Sequence, residues 1–315
     1  MFLDRYKIAT LGIEAVHGCQ LKCIGCPNSL LHDKISFVSR EDFLRYLRNV
    51  DVRIVSRLRP FNFGEPLLHP DLAGLLSEIP RLPYRVDCVE VSTNAQHRKY
   101  DMLREVFKTG VVNRFCVSCD GDGTPEEYER RRPPGKWEVL MEFLRKAKEY
   151  RDAYSPDTEL LTRTICESDE GKRRWHDLLE PMGWTPHVRG WIILPNSQRN
   201  SGENSFKINR DQVCKYLQNY SLYVDIDGTV VPCCNHPRAA VLGNLGAQTY
   251  SEIMHGAAKG RFLAAMRSGR RDMPICGNCE IEELSPKRLR SQYRKLLRHW
   301  CRDKLGIPQP VIYND

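Results

Sequence analysis

The sequence predicts an α/β protein: a partial (β/α)6 TIM-like barrel, then a small α+β domain, then a basic C-terminal helix. Three observations carry this. Short β-rich runs alternate with helical patterns through the first two thirds of the chain, the rhythm of parallel strands joined by helical crossovers. After Leu194 the composition turns to PNSQRNSGENS, a polar stretch that reads as a linker. From Pro286 to Leu305 the apolar residues Leu289, Tyr293, Leu296, Leu297 and Trp300 recur at helical spacing between basic residues.

The elements follow in order. Strands are expected near Gly12 to Val16, Val52 to Phe63 (ragged), Val86 to Thr93, Arg114 to Ser118, Leu160 to Ile165 and His187 to Leu194. Helices are expected near Arg40 to Asn49, Pro70 to Ile79, Arg98 to Thr109, Lys136 to Tyr150 and Lys172 to Met182. Ser39, with Asp42 three residues on, suits the start of the first helix, and Gly110 the end of the third. In the second module Tyr223 to Asp227, the Asp227-Gly228 turn and Thr229 to Val231 read as a hairpin, with Gly243-Asn244 a second turn. The expected domains are 1–200, 201–285 and 286–315. Chemistry belongs at the C-terminal ends of the barrel strands.

The 315 residues are 41% hydrophobic and 28% charged, which excludes a disordered chain and a disulfide miniprotein. No apolar run approaches the roughly 20 residues of a membrane span, and Asp4 and Arg5 interrupt any signal-peptide core. A cytoplasmic protein is expected. The net charge of +8 is local: residues 286–315 hold eight Lys or Arg against two Asp. The remainder is nearly neutral, so no nucleic-acid partner is expected.

Thirteen cysteines in a chain expected to stay in a reducing compartment call for something other than disulfides. Cys19, Cys23 and Cys26 form C-x3-C-x2-C directly after the first strand. Three thiolates on one loop can hold three irons of a cubane cluster and leave the fourth open. A structural zinc site is the alternative, though such sites usually close with four ligands. Cys214, Cys233, Cys276 and Cys279 supply a second set of four, enough for one closed [4Fe-4S] cluster or a zinc ribbon, with Cys234 the rival of Cys233.

With FNFGEPLLHPDL after the second strand, VSTNA after the third and VSCDG after the fourth, the chain resembles the radical S-adenosylmethionine (SAM) superfamily. Phe63 and Ala95 stand where its motifs carry glycine. The second cysteine set resembles the SPASM/twitch auxiliary-cluster region, whose pattern places a ligand directly after Pro232, at Cys233. The resemblance implies SAM and two [4Fe-4S] clusters as cofactors. It implies that the backbone at Phe63, Gly64 and Glu65 receives the SAM ammonium, that Ser118 bonds the ribose and Ile24 lies on the adenine, with Asn94 and Asp120 nearby. A 5′-deoxyadenosyl radical would then take hydrogen from a substrate carbon.

Arg163 and Arg189 are expected at the barrel mouth, able to clamp an acidic or hydroxylated substrate. Cys116, which shares a strand face with Ser118, and Cys166 are candidate cavity-facing hydrogen donors; Cys88, Cys119 and Cys301 read as buried hydrophobes. The CPNS and GEPLLHP stretches and the single auxiliary set resemble the aminocyclitol dehydrogenase branch. With the barrel starting near the first residue, no amino-terminal peptide-binding domain is expected. The expected function is oxidation of a carbinol in a small sugar or aminocyclitol, with a flavodoxin- or ferredoxin-type electron donor. A peptide maturase, a redox-neutral epimerase and a zinc or electron-transfer scaffold are the alternatives.

Overall fold

The structure is a computed structural model that describes residues 6–26, 28, 34–98, 100–190, 211–218, 220–236, 238–305 and 307. Six parallel strands form the barrel: β1 (Thr10–Ile13), β2 (Leu58–Arg59), β3 (Glu90–Thr93), β4 (Arg114–Ser118), β5 (Glu159–Ile165) and β6 (Thr185–Arg189). β1 pairs with β2, a Leu58–Val89 bridge carries the sheet to β3, and β3 to β6 follow in order. The ragged second strand and the long third one are each broken in two, with Ile54–Val55 and Arg85–Val86 pairing alongside Lys7–Ile8 in a separate parallel sheet. The sixth strand ends at Arg189; the expected extension to Leu194, the linker and the 200/201 boundary lie outside the described residues.

Helices α1 (Arg40–Arg48), α2 (Leu72–Ser77), α3 (Tyr100–Lys108), α4 (Pro125–Arg131), α5 (Trp137–Tyr154) and α6 (Asp169–Leu179) connect the strands. Ser39 caps α1 by accepting the Asp42 amide at 3.0 Å, and Gly110, at φ +64°, ends α3 in the left-handed region open to glycine. The sequence reading passed over α4, although Thr124 caps it and Pro125 opens it. Outside the barrel, Phe107 of α3 and Phe143 of α5 close on Phe115 of β4, with ring centroids 4.9 and 6.4 Å away. Burial of each such ring contributes about 2 to 3 kcal/mol.

The second module is part of the same sheet. Its first strand β7 (Ser221–Val224) pairs in parallel with β1, Tyr223 opposite Gly12. The expected hairpin is formed by β7 and β8 (Thr229–Val231), and β9 (Gly243–Asn244) adds an antiparallel edge. A His17–Asp225 ion pair also joins the modules. Helices α7 (Tyr250–Met254) and α8 (Ala257–Gly269) complete it. No helix of the described residues is long and apolar enough to cross a membrane.

Helix α9 (Pro286–Lys304) docks by one edge only. Leu296 and Trp300 pack on Tyr6, Ile54 and Tyr220, while Tyr293 and Leu297 of the same stripe stay exposed. Leu296→Ala is expected to cost about 2 kcal/mol, seen as a lower urea midpoint when unfolding is followed by the fluorescence of the tryptophans.

Candidate functional site

A cavity of about 370 Å³ opens at the C-terminal ends of the barrel strands. Cys19, Cys23 and Cys26 line it with Ile24; Phe63, Gly64 and Glu65 line it from the loop after β2. Asn94, Ser118, Asp120, Arg163 and Arg189 come from the four following strand ends, and Tyr216, Asn235 and Ile281 from the second module.

The cysteine loop is held by its backbone. Lys22 and Ile24 donate to the carbonyls of Pro133 and Arg131 at 2.6 and 2.9 Å, and Gly18 accepts the Glu65 amide at 3.2 Å. Cys19 Sγ accepts from the Leu21 amide at 3.4 Å and from Asn94 Nδ2 at 3.2 Å. Burial pushes the Cys19 thiol up to about 11 and the Cys23 thiol up to about 12. Dry thiols of this kind become ligands only beside a cation, which fits an iron centre. Among the described residues no three His, Cys, Asp or Glu side chains converge on a single-ion point; a cubane takes each thiolate on a separate iron.

The second strand end is fastened by Glu14, an acid buried in β1's exit. Its carboxylate accepts the amides of Asn62, Phe63 and Gly64 at 3.1, 2.7 and 3.0 Å. Burial still pushes this acid up to about 7, against the pull of those amides. Gly64 presses so close that a Cβ there would sit 1.7 Å from the Val16 carbonyl oxygen. With the amides turned to Glu14, none of the described backbone amides donates to the carbonyls of Asn62, Phe63 or Gly64. That stretch fits a three-donor ammonium.

Glu65 does more than cap its loop. It accepts from Leu67 N at 3.1 Å, Thr93 Oγ1 at 2.7 Å and Asn94 N at 2.7 Å, tying the second strand end to the third. Burial pushes it, too, up to about 7. Ala95, at φ +58°, occupies the left-handed region where the superfamily motif has glycine. Asp120 accepts from the Ile165 amide at 3.0 Å and pairs with Arg132. Arg132, beside Cys23, was missed from sequence; the run RRRPPG offered three arginines and no means of choosing among them.

The barrel floor is charged. Glu90, fully buried, meets Arg59 Nε and Arg163 Nη2 at 2.8 Å each and Arg57 Nη1 at 3.7 Å. Burial alone would raise this carboxyl, but the guanidiniums win and hold it below the ordinary range. The hydrogen-donor role expected of Cys116 and Cys166 does not fit. Cys116 is fully buried a layer below Ser118, and Cys166 is turned toward the Ser168 carbonyl at 3.5 Å; neither lines the cavity.

In the second module Arg270 staples the C-x2-C loop, donating to the carbonyls of Cys276, Cys279 and Ile281 at 3.3, 3.3 and 2.6 Å. Cys214 accepts from the amides of Tyr216 and Leu217, two and three residues on, and Cys233 from those of Asn235 and His236 in the same way. Cys279 accepts from Ile281. The field of Cys214 reaches Cys233, Cys276 and Cys279. Cys234 shares that field and also meets the hydroxyls of Tyr216 and Tyr223.

Residues 13–158 match the family model described as the radical SAM superfamily, and residues 214–280 the model described as an iron-sulfur cluster-binding domain, SPASM. A GTP 3′,8-cyclase of Picosynechococcus sp. is 25% identical over 189 residues, 53% of this chain and 54% of that protein. A probable GTP 3′,8-cyclase of Methanocella arvoryzae is 30% identical over 122 residues, 38% of each. The chain thus spans about half, or less, of these relatives. Among solved structures, BtrN in complex with AdoMet and 2-DOIA superposes with a TM-score of 0.53 at 16% identity, over 87% of this chain and 93% of that one. Native anSMEcpe with bound AdoMet gives 0.57 at 15%, over 95% and 98%.

Glu14 binds its proton more tightly in the folded chain than in the unfolded one. Stability is therefore expected to fall as pH rises from about 4.5 through about 7. Glu14→Gln should flatten that slope in denaturant titrations from pH 5 to 8 and, by setting an NH2 against backbone N–H groups, lower stability by about 1 to 3 kcal/mol throughout. Gly64→Ala should cost about 4 kcal/mol or more in the same assay.

Proposed function

The chain carries a radical SAM domain followed by a SPASM iron–sulfur cluster-binding domain, and from that premise we propose that it oxidises a carbinol carbon of a small polyhydroxylated molecule to a ketone. Radical SAM domains bind SAM and a [4Fe-4S] cluster, and SPASM domains bind further clusters. When bound, these groups supply a 5′-deoxyadenosyl radical that takes a hydrogen atom and a cluster that accepts an electron.

One observation carries this reading. Tyr216 and Asn235, each two residues beyond a cysteine of the second set, form a wall of the same cavity as Cys19 and Ser118. Neighbours of the second cysteine set thus border the space that the first set lines, which supports a reaction that removes a hydrogen atom and an electron from the carbinol, its hydroxyl proton passing to solvent.

The residues divide the work. Cys19, Cys23 and Cys26 hold the first cluster, and Cys214, Cys233, Cys276 and Cys279 the auxiliary one. Cys233 is preferred to Cys234 because its sulfur accepts two amides just as Cys214 does. The backbone carbonyls at Phe63, Gly64 and Glu65 receive the SAM ammonium, Ser118 its ribose and Ile24 its adenine. Asn94 orients Cys19 by its amide. Ile281 and Tyr216 help exclude water from the roof. A flavodoxin- or ferredoxin-type protein delivers the reducing electron.

Anaerobic reconstitution is expected to give about eight irons per chain and reductive formation of 5′-deoxyadenosine, with deuterium passing into it from a labelled carbinol. Label from solvent entering the product carbon would favour an epimerase, and cleavage dependent on a precursor peptide a maturase. Cys23→Ala should leave about four irons and no SAM cleavage. Cys233→Ala should also lose about four irons, whereas Cys234→Ala keeps all eight; the reverse pattern would reassign the auxiliary ligand.

A further inference from the structure

We infer that Asn94 tunes the first cluster: its side-chain amide, fixed by the turn at Ala95 and by Gln20, donates to the Cys19 sulfur and makes the cluster there easier to reduce. The inference rests on the reading above that Cys19, Cys23 and Cys26 hold that cluster.

Geometry is the first argument. Ala95, at φ +58°, bends the chain just past β3, and the Gln96 amide turns back to donate to Asn94 Oδ1 at 2.9 Å. A backbone N–H can only donate, so this bond settles which end of the Asn94 side chain is oxygen. The nitrogen end faces the cysteine loop. There Nδ2 lies 3.2 Å from Cys19 Sγ and 3.1 Å from Gln20 Oε1, one hydrogen for each. Gln20 closes the pair from its own side. Its Nε2 meets Asn94 Oδ1 at 3.2 Å, the Gln96 carbonyl at 3.3 Å and the His97 ring at 3.1 Å, which leaves its Oε1 to receive the Asn94 amide. Two side-chain amides thus hold one another, and one N–H stays aimed at the sulfur.

Electrostatics is the second. Reduction adds an electron to a cluster whose ligand sulfurs share the charge, so an N–H donated to one of them favours the reduced form and raises the potential. The fields of Glu65 and Cys26 oppose negative charge on Cys19, and the amides of Leu21 and Asn94 are set against them. Leu21 donates from the backbone, which any residue there would supply. The Asn94 donor depends on one side chain. Asn94 and His97 are only 5% and 8% exposed, so water has little access to replace a lost N–H.

The test uses the full chain, anaerobically reconstituted with iron and sulfide, and reads the midpoint potential of the first cluster by an electron paramagnetic resonance titration without SAM. The signal of that cluster is the one that changes when SAM is added to a matched sample. Asn94→Leu removes the donor; Asn94→Ser keeps an oxygen for the Gln96 amide but is too short to reach the sulfur. Each is expected to lower the reduced-to-oxidised ratio at a fixed ambient potential by about threefold or more, or about 30 mV at about 59 mV per tenfold. Iron should stay at about eight per chain, and the potential of the auxiliary cluster should not move. Asn94→Ser decides the matter if Asn94→Leu does not assemble its cluster. An unchanged or higher potential in a variant with its cluster intact would overturn the inference. Failure of both variants to assemble the first cluster would overturn it too, assigning Asn94 to holding the cysteine loop, as would lost SAM affinity without a shift in potential, which assigns Asn94 to the cosubstrate. The iron count and SAM response of the unsubstituted chain test the reading above on their own; the potentials of the variants test only this inference.

Discussion

The site depends on one buried acid. Glu14 gathers three successive amides of the loop after β2, and a chain of hydrogen bonds starts there. The fastened loop places Glu65, Glu65 ties down Thr93 and the Asn94 amide, and the Asn94 side chain reaches the sulfur of Cys19. A buried acid just after β1 thus sets, through these links, the position of a thiol five residues further along the chain. Each hydrogen bond in this chain is buried or partly buried and would be expensive to leave unmade, and together they tie the ends of the first three strands to one another.

How far this was legible from sequence varied with the kind of signal. The first cysteine spacing, the glycine-glutamate loop and the Ser118 turn are local patterns, and the chain gathers these three around one cavity. Strand identity was readable where a short β-rich run is unbroken, as in β4. It was poor in the second strand, where short pairing segments flank the polar Ser56 and Arg57. What could not be read was convergence. Glu14 and Glu90 belong to no local motif, and Arg132 is one of three successive arginines. Their roles come from partners 48, 73 and 12 residues away.

The cavity cysteines show the opposite error. Alternation correctly assigned Cys116 to the face of Ser118, but depth along the barrel is a separate coordinate. The residue lies under the Arg163 layer, where the floor is closed by charge rather than by a reactive thiol. A period-two pattern tells which way a side chain points and says nothing of the layer above it.

The pairing of β7 with β1 reaches beyond the site. The auxiliary module is stitched to the barrel by a shared ladder rather than hung on a tether. Parting the two would bare a hydrogen-bonding edge on each side, an invitation to aggregate. Exchange of this module between related proteins, in nature or by design, would therefore have to carry the seventh strand with the barrel or replace it by another of the same register.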